Sequence, residues 1–306
     1  MGENMNTNVL AKIRNHIFWK LSVFGIFNGL SDKHYLEMMY YIKMGKKLNL
    51  KSPQTYNEKL QWLKLYDRRP EYTIMVDKHK VKSFVAEKIG KQYVIPTIGV
   101  WETFEDIDFE KLPERFVLKC THDSGGLVIC KNKSTLDIKQ ARTKINSCLK
   151  RNYFFQNREW PYKNVKPRII AEQYMEDSAD EELRDYKFFA FNGVVRALFI
   201  ATERENPLEK TKFDFFDENF IHLDFTNGKP NSDILPHRPQ QFEKMKELAG
   251  ILSQGIPQVR IDFYEVNGKV YFGEITFFHW SGMKPFVPKK WDYIFGKWIE
   301  LSEGQE

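Results

Sequence analysis

The sequence predicts an α+β fold in two lobes, and three stretches carry that reading. Residues 259–263 alternate apolar and charged as a half-buried strand does, Asn267-Gly268 is a hairpin signal, and 269–277 return as the partner strand. Residues 116–119 and 127–131 form a second strand pair, joined through a Ser124-Gly125-Gly126 turn. Helical segments lie apart from both pairs. Thr55 stands three residues ahead of Glu58, the spacing of a capping box, and 238–255 repeat apolar residues at helical spacing through Phe242, Met245, Leu248, Ile251 and Leu252. At 306 residues the chain is long enough for two lobes and a substantial core.

In chain order, residues 1–45 are basic and aromatic. Within 13–30, Ile17, Phe18, Trp19, Leu21, Val23, Phe24, Ile26 and Phe27 are interrupted by Lys20 and Gly25, too short and broken a run to span a bilayer. It reads as a helix packed on the main body or as an amphipathic helix resting on anionic lipid; no signal peptide is evident. After the capping box, Leu60, Trp62, Leu63 and Tyr66 face neighbours, a structural segment. A helix follows Asp77-Lys78 and carries Lys82, then 94–97 form a short strand.

The glycine turn at 124–126 can cradle phosphate oxygens with consecutive backbone N–H groups, and Lys119 at the strand end supplies a positive charge. It is not a P-loop, since a strand rather than a helix follows. His122 is a base or, more simply, fixes the loop by a hydrogen bond. Residues 134–151 read as a helix capped by Ser134. In 152–166, Tyr153, Phe154, Phe155, Trp160 and Tyr162 alternate with Arg158, Lys163 and Lys166, which suits either a sugar platform or a packed surface loop. Residues 168–175 make a buried strand turning polar. After the acidic stretch 176–182, Asp185 and Lys187 share one face of the next strand. Residues 203–235 read as irregular, and Trp291, Tyr293, Ile294, Trp298 and Ile299 as a closing helix.

On the C-terminal hairpin, Arg260 and Asp262 share one strand face, and Glu274 and Thr276 share one face of its partner. Such oxygens suit Mg²⁺, which takes one or two carboxylates and leaves the rest to phosphates. The plainer reading is a cross-strand ion pair on a sheet. If the two carboxylates face one another alone, neutralising one should relieve repulsion. A net charge of +6 fits anionic small molecules or an acidic glycan. No dense Lys/Arg tract or nucleic-acid motif accompanies it. Cys120, Cys130 and Cys148 lack metal spacing and read as thiols of a reducing cytoplasm.

Arg260-x-Asp262, with Glu274 twelve residues on and Thr276 where asparagine is usual, resembles the metal-binding hairpin of ATP-grasp enzymes. The runs T-Y-N-E-K-L-Q-W-L at 55–63 and F-V-L-K-C-T-H-D-S-G-G at 116–126 are similar to the branch related to the teichuronopeptide-synthesis protein TupA, over roughly residues 48–301. The resemblance implies an ATP-grasp fold: two mixed sheets clasping a nucleotide, a helical extension over 1–70, small and phosphate-covering lobes over 71–175, and a metal-binding lobe over 176–306. It implies ATP and Mg²⁺ as cofactors. Asp262, Glu274 and Thr276 would hold the metal, and Arg260 and Lys187 would serve the transferred phosphoryl. Lys82, Lys119, Ser124, Gly125 and Gly126 would hold phosphates, Glu172, Gln173, Tyr174 and Met175 would pair adenine through their backbone, and Asp185 would serve ribose or acceptor. The activity implied is a carboxylate–amine ligase acting through an acylphosphate in bacterial surface polysaccharide synthesis. Its partners would be a small-molecule or glycan carboxylate such as a uronic acid, and an amine. The setting would be the cytoplasm, with peripheral contact at the inner membrane surface. A glycosyltransferase and a non-catalytic nucleotide-binding protein are the alternatives.

Overall fold

The computed structural model describes residues 17–18, 20–22, 25–177, 183–203 and 211–302. Its first elements start at side-chain caps. Ser31 Oγ accepts from His34 N ahead of α1 (Asp32–Met44), and Thr55 with Glu58 completes the expected capping box of α2 (Tyr56–Tyr66). Then come α3 (Glu71–Val76), α4 (Val81–Lys88), β1 (Thr97–Trp101), β2 (Phe116–Cys120), β3 (Leu127–Cys130), α5 (Ile138–Leu149), the short α6 (Phe154–Asn157) and β4 (Ile169–Gln173). The second half holds β5 (Asp185–Phe191), β6 (Val194–Thr202), β7 (Lys212–Asp217), β8 (Thr226–Asn227), α7 (Phe242–Leu252), β9 (Val259–Val266), β10 (Lys269–Thr276), β11 (Phe286–Val287) and α8 (Lys290–Trp298).

The strands form a four-stranded sheet in the order β1-β4-β2-β3, a five-stranded sheet in the order β10-β9-β5-β6-β7, and the pair β11-β8. Mixed sheets were expected, but every ladder between the described strands is antiparallel. Tight connections such as β2–β3, β5–β6 and β9–β10 permit no other direction. Each larger sheet has its own core. Phe104, Phe116, Leu118, Ile145 and Ile169 pack behind the four-stranded sheet. The five-stranded sheet carries a larger core that includes Phe188, Phe189, Phe199, Ile261 and Phe263. Leu60, Tyr72 and Val85, from α2, α3 and α4, belong to this second core. α2, α3 and α4 therefore pack with the C-terminal sheet, whereas α1 places Tyr35, Leu36, Met39 and Ile42 in a separate cluster with Met283.

α2 also docks on α8. The Tyr56 ring lies 5.7 Å from that of Phe295, and Asp292 Oδ1 accepts from Asn57 N at 3.0 Å and Asn57 Nδ2 at 2.9 Å. Gly296 allows the approach, since a Cβ there would lie 2.3 Å from Gln54 O.

The N-terminal arm packs on the body where it is described. Phe18 stacks on Phe27 at 6.0 Å, and Arg158, 1% exposed, donates to the carbonyls of Phe27, Asn28 and Leu30. Residues 13–16, Trp19, Val23 and Phe24 lie outside the described residues, as do 178–182 of the acidic stretch. No described helix is long and apolar enough to cross a membrane.

Two local expectations are corrected. α5 starts under Asp137, not Ser134, because Asn132 Oδ1 has already accepted from Ser134 N at 2.9 Å in a preceding 3₁₀ turn. The segment 203–235 contains β7 and β8. Its polarity hides β7 because the fully buried Asp214 is satisfied from far along the chain, by Ser232 Oγ at 2.5 Å and Ser232 N at 3.1 Å.

Candidate active site

Three adjacent strands of the larger sheet, from its β10 edge through β9 to β5, bring the charged hairpin residues together. Lys187 on β5 pairs in register with Asp262 on β9, and Asp262 pairs with Glu274 on β10. The last pairing depends on a β-bulge at Gly273. Up to Phe272, β10 points its even-numbered side chains into the core. The extra residue reverses this, so Ile275 turns inward and Glu274 and Thr276 turn to the face of Arg260 and Asp262.

Arg260 is the centre of the cluster. Its Nε donates to Asp262 Oδ1 at 2.7 Å, and its second terminal nitrogen donates to Asp262 Oδ2 at 2.8 Å, Thr276 Oγ1 at 3.0 Å and Glu274 Oε1 at 3.3 Å. The other terminal nitrogen meets His279 Nδ1 at 3.0 Å, and His279 Nε2 lies 3.0 Å from Asn227 Oδ1. Burial, with Arg260 and Lys187 nearby, holds the imidazole well below its usual pKa. The ring is therefore neutral, with Nδ1 accepting from Arg260 and Nε2–H donating to Asn227.

Lys187 Nζ completes the cluster at 2.5 Å from Asp262 Oδ2 and 3.3 Å from Asp185 Oδ2. Burial pushes the Asp262 carboxyl up against the pull of Arg260 and Lys187. Glu274 differs, because its side chain is two-fifths exposed to the cleft. Burial pushes its carboxyl up, but Lys78, Lys187, Arg260 and Lys119 outweigh it and hold the pKa at about 2.

The smaller sheet closes the cleft from the other side. The space, about 190 Å³, is bordered by Lys78, Lys119, Ser124 and Gly126 opposite Asp185, Lys187 and Glu274. The glycine turn is tightly built: Asp123 Oδ1 accepts from Gly125 N, Gly126 O accepts from Cys120 N, and a Cβ on Gly126 would lie 2.5 Å from Cys120 Sγ. His122 fixes this turn, with Nε2–H directed at Cys148 O and Arg151 O, each at 3.1 Å. Buried there, with its pKa lowered by that burial, it does not face the cleft as a base.

Lys119, Ser124, Gly126, Asp185, Lys187 and Glu274 thus border one cleft, with Arg260, Asp262 and Thr276 beneath them. Lys82 does not border it. Its ammonium donates to Ile95 O at 2.6 Å and lies 2.5 Å from Glu172 Oε1, while Lys119 takes Glu172 Oε2 at 2.6 Å. Burial pushes Glu172 up, but the two lysines outweigh it and hold its carboxyl below the usual range. Glu172 and Gln173 sit inside the ladder between β1 and β2, so of the four residues expected at adenine only Tyr174 and Met175 lie past the strand's end. The Tyr174 ring carries the Arg115 guanidinium at 5.4 Å.

In the 152–166 loop, Phe154 and Arg158 are buried and Lys166 pairs with Glu102, which leaves no open sugar platform of those residues. Tyr153 packs edge-on against Tyr162, with ring centroids 4.8 Å apart.

Lys78 and His279 were not picked out from sequence. Lys78 precedes α4 on irregular chain. Asp77 Oδ1 accepts from the N–H groups of His79 and Lys80, and Lys78 Nζ donates to Asp123 O at 2.9 Å. The Asp77-Lys78 pair is visible in sequence, but only the start of α4 at Val81 separates Lys78, at the cleft, from Lys82, inside the helix. His279, flanked by Phe277, Phe278 and Trp280, looks like any core histidine.

A Mg²⁺ ion fits one part of this arrangement. No described group of three His, Cys, Asp or Glu residues could hold a metal alone, but Mg²⁺ bound with phosphates does not need one. Glu274 offers an open carboxylate. Both Asp262 oxygens are engaged by Arg260 and Lys187, and Thr276 Oγ1 is engaged by Arg260.

Two sheets facing one another across a cationic cleft, with a glycine turn on one and an R-x-D/E hairpin on the other, define an ATP-grasp protein. A family model described as TupA-like ATPgrasp matches residues 58–300, and the chain belongs to that family. No curated protein matches it.

Solved structures similar to the chain include the D-alanine–D-alanine ligase from Bacillus anthracis complexed with ATP, at 14% identity over 66% of this chain and 55% of that one, with a TM-score of 0.37. The D-alanine–D-alanine ligase from Helicobacter pylori is 12% identical over 81% and 70%, with a TM-score of 0.42. The L-amino acid ligase from Bacillus licheniformis is 12% identical over 76% and 48%, with a TM-score of 0.40. The chain thus spans 55% of the first of these and about half of the last. These likenesses are distant, and membership in the family rests on the sequence match.

Proposed function

We propose that the protein is an ATP- and Mg²⁺-dependent carboxylate–amine ligase acting through an acylphosphate. The observation that carries this reading is the convergence of Lys78, Lys119, Lys187 and Arg260 on the half-open carboxylate of Glu274. Four cations around one carboxylate leave a positive field into which a polyphosphate with its metal fits. Lys78 and Lys119, with the turn at 124–126, would hold the phosphates; Tyr174 and Met175 would meet adenine, and Asp185 the ribose or acceptor. Glu274 would be the first metal ligand, and Asp262 Oδ2 the second once Lys187 turns to phosphate. Mg²⁺ would supply charge neutralisation between the phosphates. Arg260 would stabilise the phosphoryl group as it passes from ATP to a substrate carboxylate oxygen, with ADP leaving. An amine would then attack the acyl carbon and displace phosphate as the new amide forms. Closure of the small lobe would keep water from the acylphosphate.

The TupA likeness supports a setting in bacterial surface polysaccharide synthesis in the cytoplasm, with a uronic acid or amino acid as the carboxylate substrate. Calorimetry with ATP, with and without Mg²⁺, followed by ADP release over panels of uronates and amino acids, tests the reading. Binding of ATP–Mg²⁺ and ADP release dependent on one carboxylate and one amine are expected. A folded sample that binds UDP-sugars and not ATP overturns it.

A further inference from the structure

The polar face of α2 grips a turn that borders the site. Asn57, Gln61 and Lys64 follow at helical spacing along one face, and all three reach the chain after β10. Asn57 Nδ2 donates to Lys284 O at 3.0 Å, and Gln61 Nε2 donates to the carbonyls of Ser281 at 3.0 Å and Gly282 at 2.8 Å. Lys64 is fully buried. Its ammonium donates to Ser281 O at 2.8 Å, Ser281 Oγ at 2.9 Å, Asn157 O at 3.0 Å and Gln61 Oε1 at 3.0 Å. Glu159 is buried nearby, and burial pushes its carboxyl up against the pull of Lys64.

The turn so held is strained. Trp280 (φ 48°), Ser281 (φ 57°) and Gly282 (φ 62°) are all left-handed. Only the glycine adopts that conformation freely. For the other two it is strained, and it persists where the surroundings enforce it. The residue immediately before the turn is His279, which meets Arg260.

We propose that Asn57, Gln61 and Lys64 are positioning residues that hold the left-handed turn at 280–282 so that His279 fixes the guanidinium of Arg260 against Asp262 and Glu274. Their importance for turnover rests on the role proposed for Arg260 at the transferred phosphoryl. They touch no substrate, and their effect passes through His279.

The test uses the full chain and two variants. Lys64→Met keeps length and packing but removes four hydrogen bonds. Ser281→Gly removes the gripped hydroxyl and relieves left-handed strain, so it decides the matter by the same measurement if Lys64→Met fails to fold. Long-range ¹H–¹⁵N NMR reads the His279 ring directly, circular dichroism reads folding, and calorimetry reads ATP–Mg²⁺ binding. The folded variants are expected to bind ATP–Mg²⁺ as tightly as the parent while the His279 Nδ1 resonance moves towards that of an unbonded ring nitrogen. ADP release with the carboxylate panel should fall about a hundredfold, the scale of an ångström's misplacement. An unmoved His279 resonance in folded variants overturns the proposal and leaves the face of α2 a packing device. A moved resonance in a protein that binds no ATP–Mg²⁺ supports the grip and overturns the ligase reading alone.

Discussion

Glu274 reverses an expectation drawn from its neighbour. Read as one of two facing carboxylates, it should be better neutralised; surrounded by four cations, it should not. Glu274→Gln leaves Lys78, Lys119, Lys187 and Arg260 with less compensation, so the melting temperature should fall at neutral pH. The folded pKa of about 2 lies below the unfolded value of about 4.3. The stabilisation is therefore complete above about pH 4.3 and is lost as pH falls towards 2. Thermal melts of parent and variant should differ at pH 7 and converge near pH 2; a constant gap would reject the assignment. The lysines give a second residue-level test. Lys78→Met should weaken ATP–Mg²⁺ binding about tenfold to a hundredfold, the weight of one charge-assisted contact. Lys82→Met should leave ATP affinity nearly unchanged and lower the melting temperature instead, because its partners are Glu172 and Ile95 O. Calorimetry and melts on both variants separate the two lysines.

The glycine turn shows how an element is built to a tolerance. A methyl group on Gly126 would press on Cys120 Sγ at 2.5 Å, so Gly126→Ala should cost about 1–3 kcal/mol as overpacking and weaken ATP–Mg²⁺ binding as the turn shifts. An unchanged denaturation midpoint and affinity would show that the turn yields freely. Much at this scale was legible in sequence. The Thr55–Glu58 cap, the Asn267-Gly268 hairpin and the strand–turn–strand at 116–131 are signals made by neighbouring residues. What escaped depends on distant ones. The bulge at Gly273 shows only where β10 meets β9, and β7 is disguised by an aspartate whose partner lies in another loop. The site divides the same way. Arg260, Asp262, Glu274, Lys187 and Lys119 could be named from patterns, whereas Lys78 against Lys82 turns on where α4 begins, and His279 on a contact nineteen residues back along the chain.

For the molecule as a whole, Arg158 ties the arm to the smaller lobe's connection. Removing residues 1–30 would take three carbonyl partners from a buried guanidinium and leave it Asp32 and the Tyr35 ring. That should destabilise the fold by about 1–3 kcal/mol, as leaving a buried donor unsatisfied does, and should leave sedimentation with anionic liposomes unchanged. A truncated chain as stable as the parent that loses liposome binding would favour the lipid-resting helix. The docking of α2 on α8 bears on how the protein is made. Asn57 and Asp292 are 235 residues apart. At about 5–20 residues per second of synthesis, α2 leaves the ribosome on the order of tens of seconds before the helix that covers it. The smaller lobe, whose core runs only from Phe104 to Ala171, can complete itself during that wait. Tyr56 cannot, and the nascent chain carries it without the Phe295 ring until translation has delivered α8.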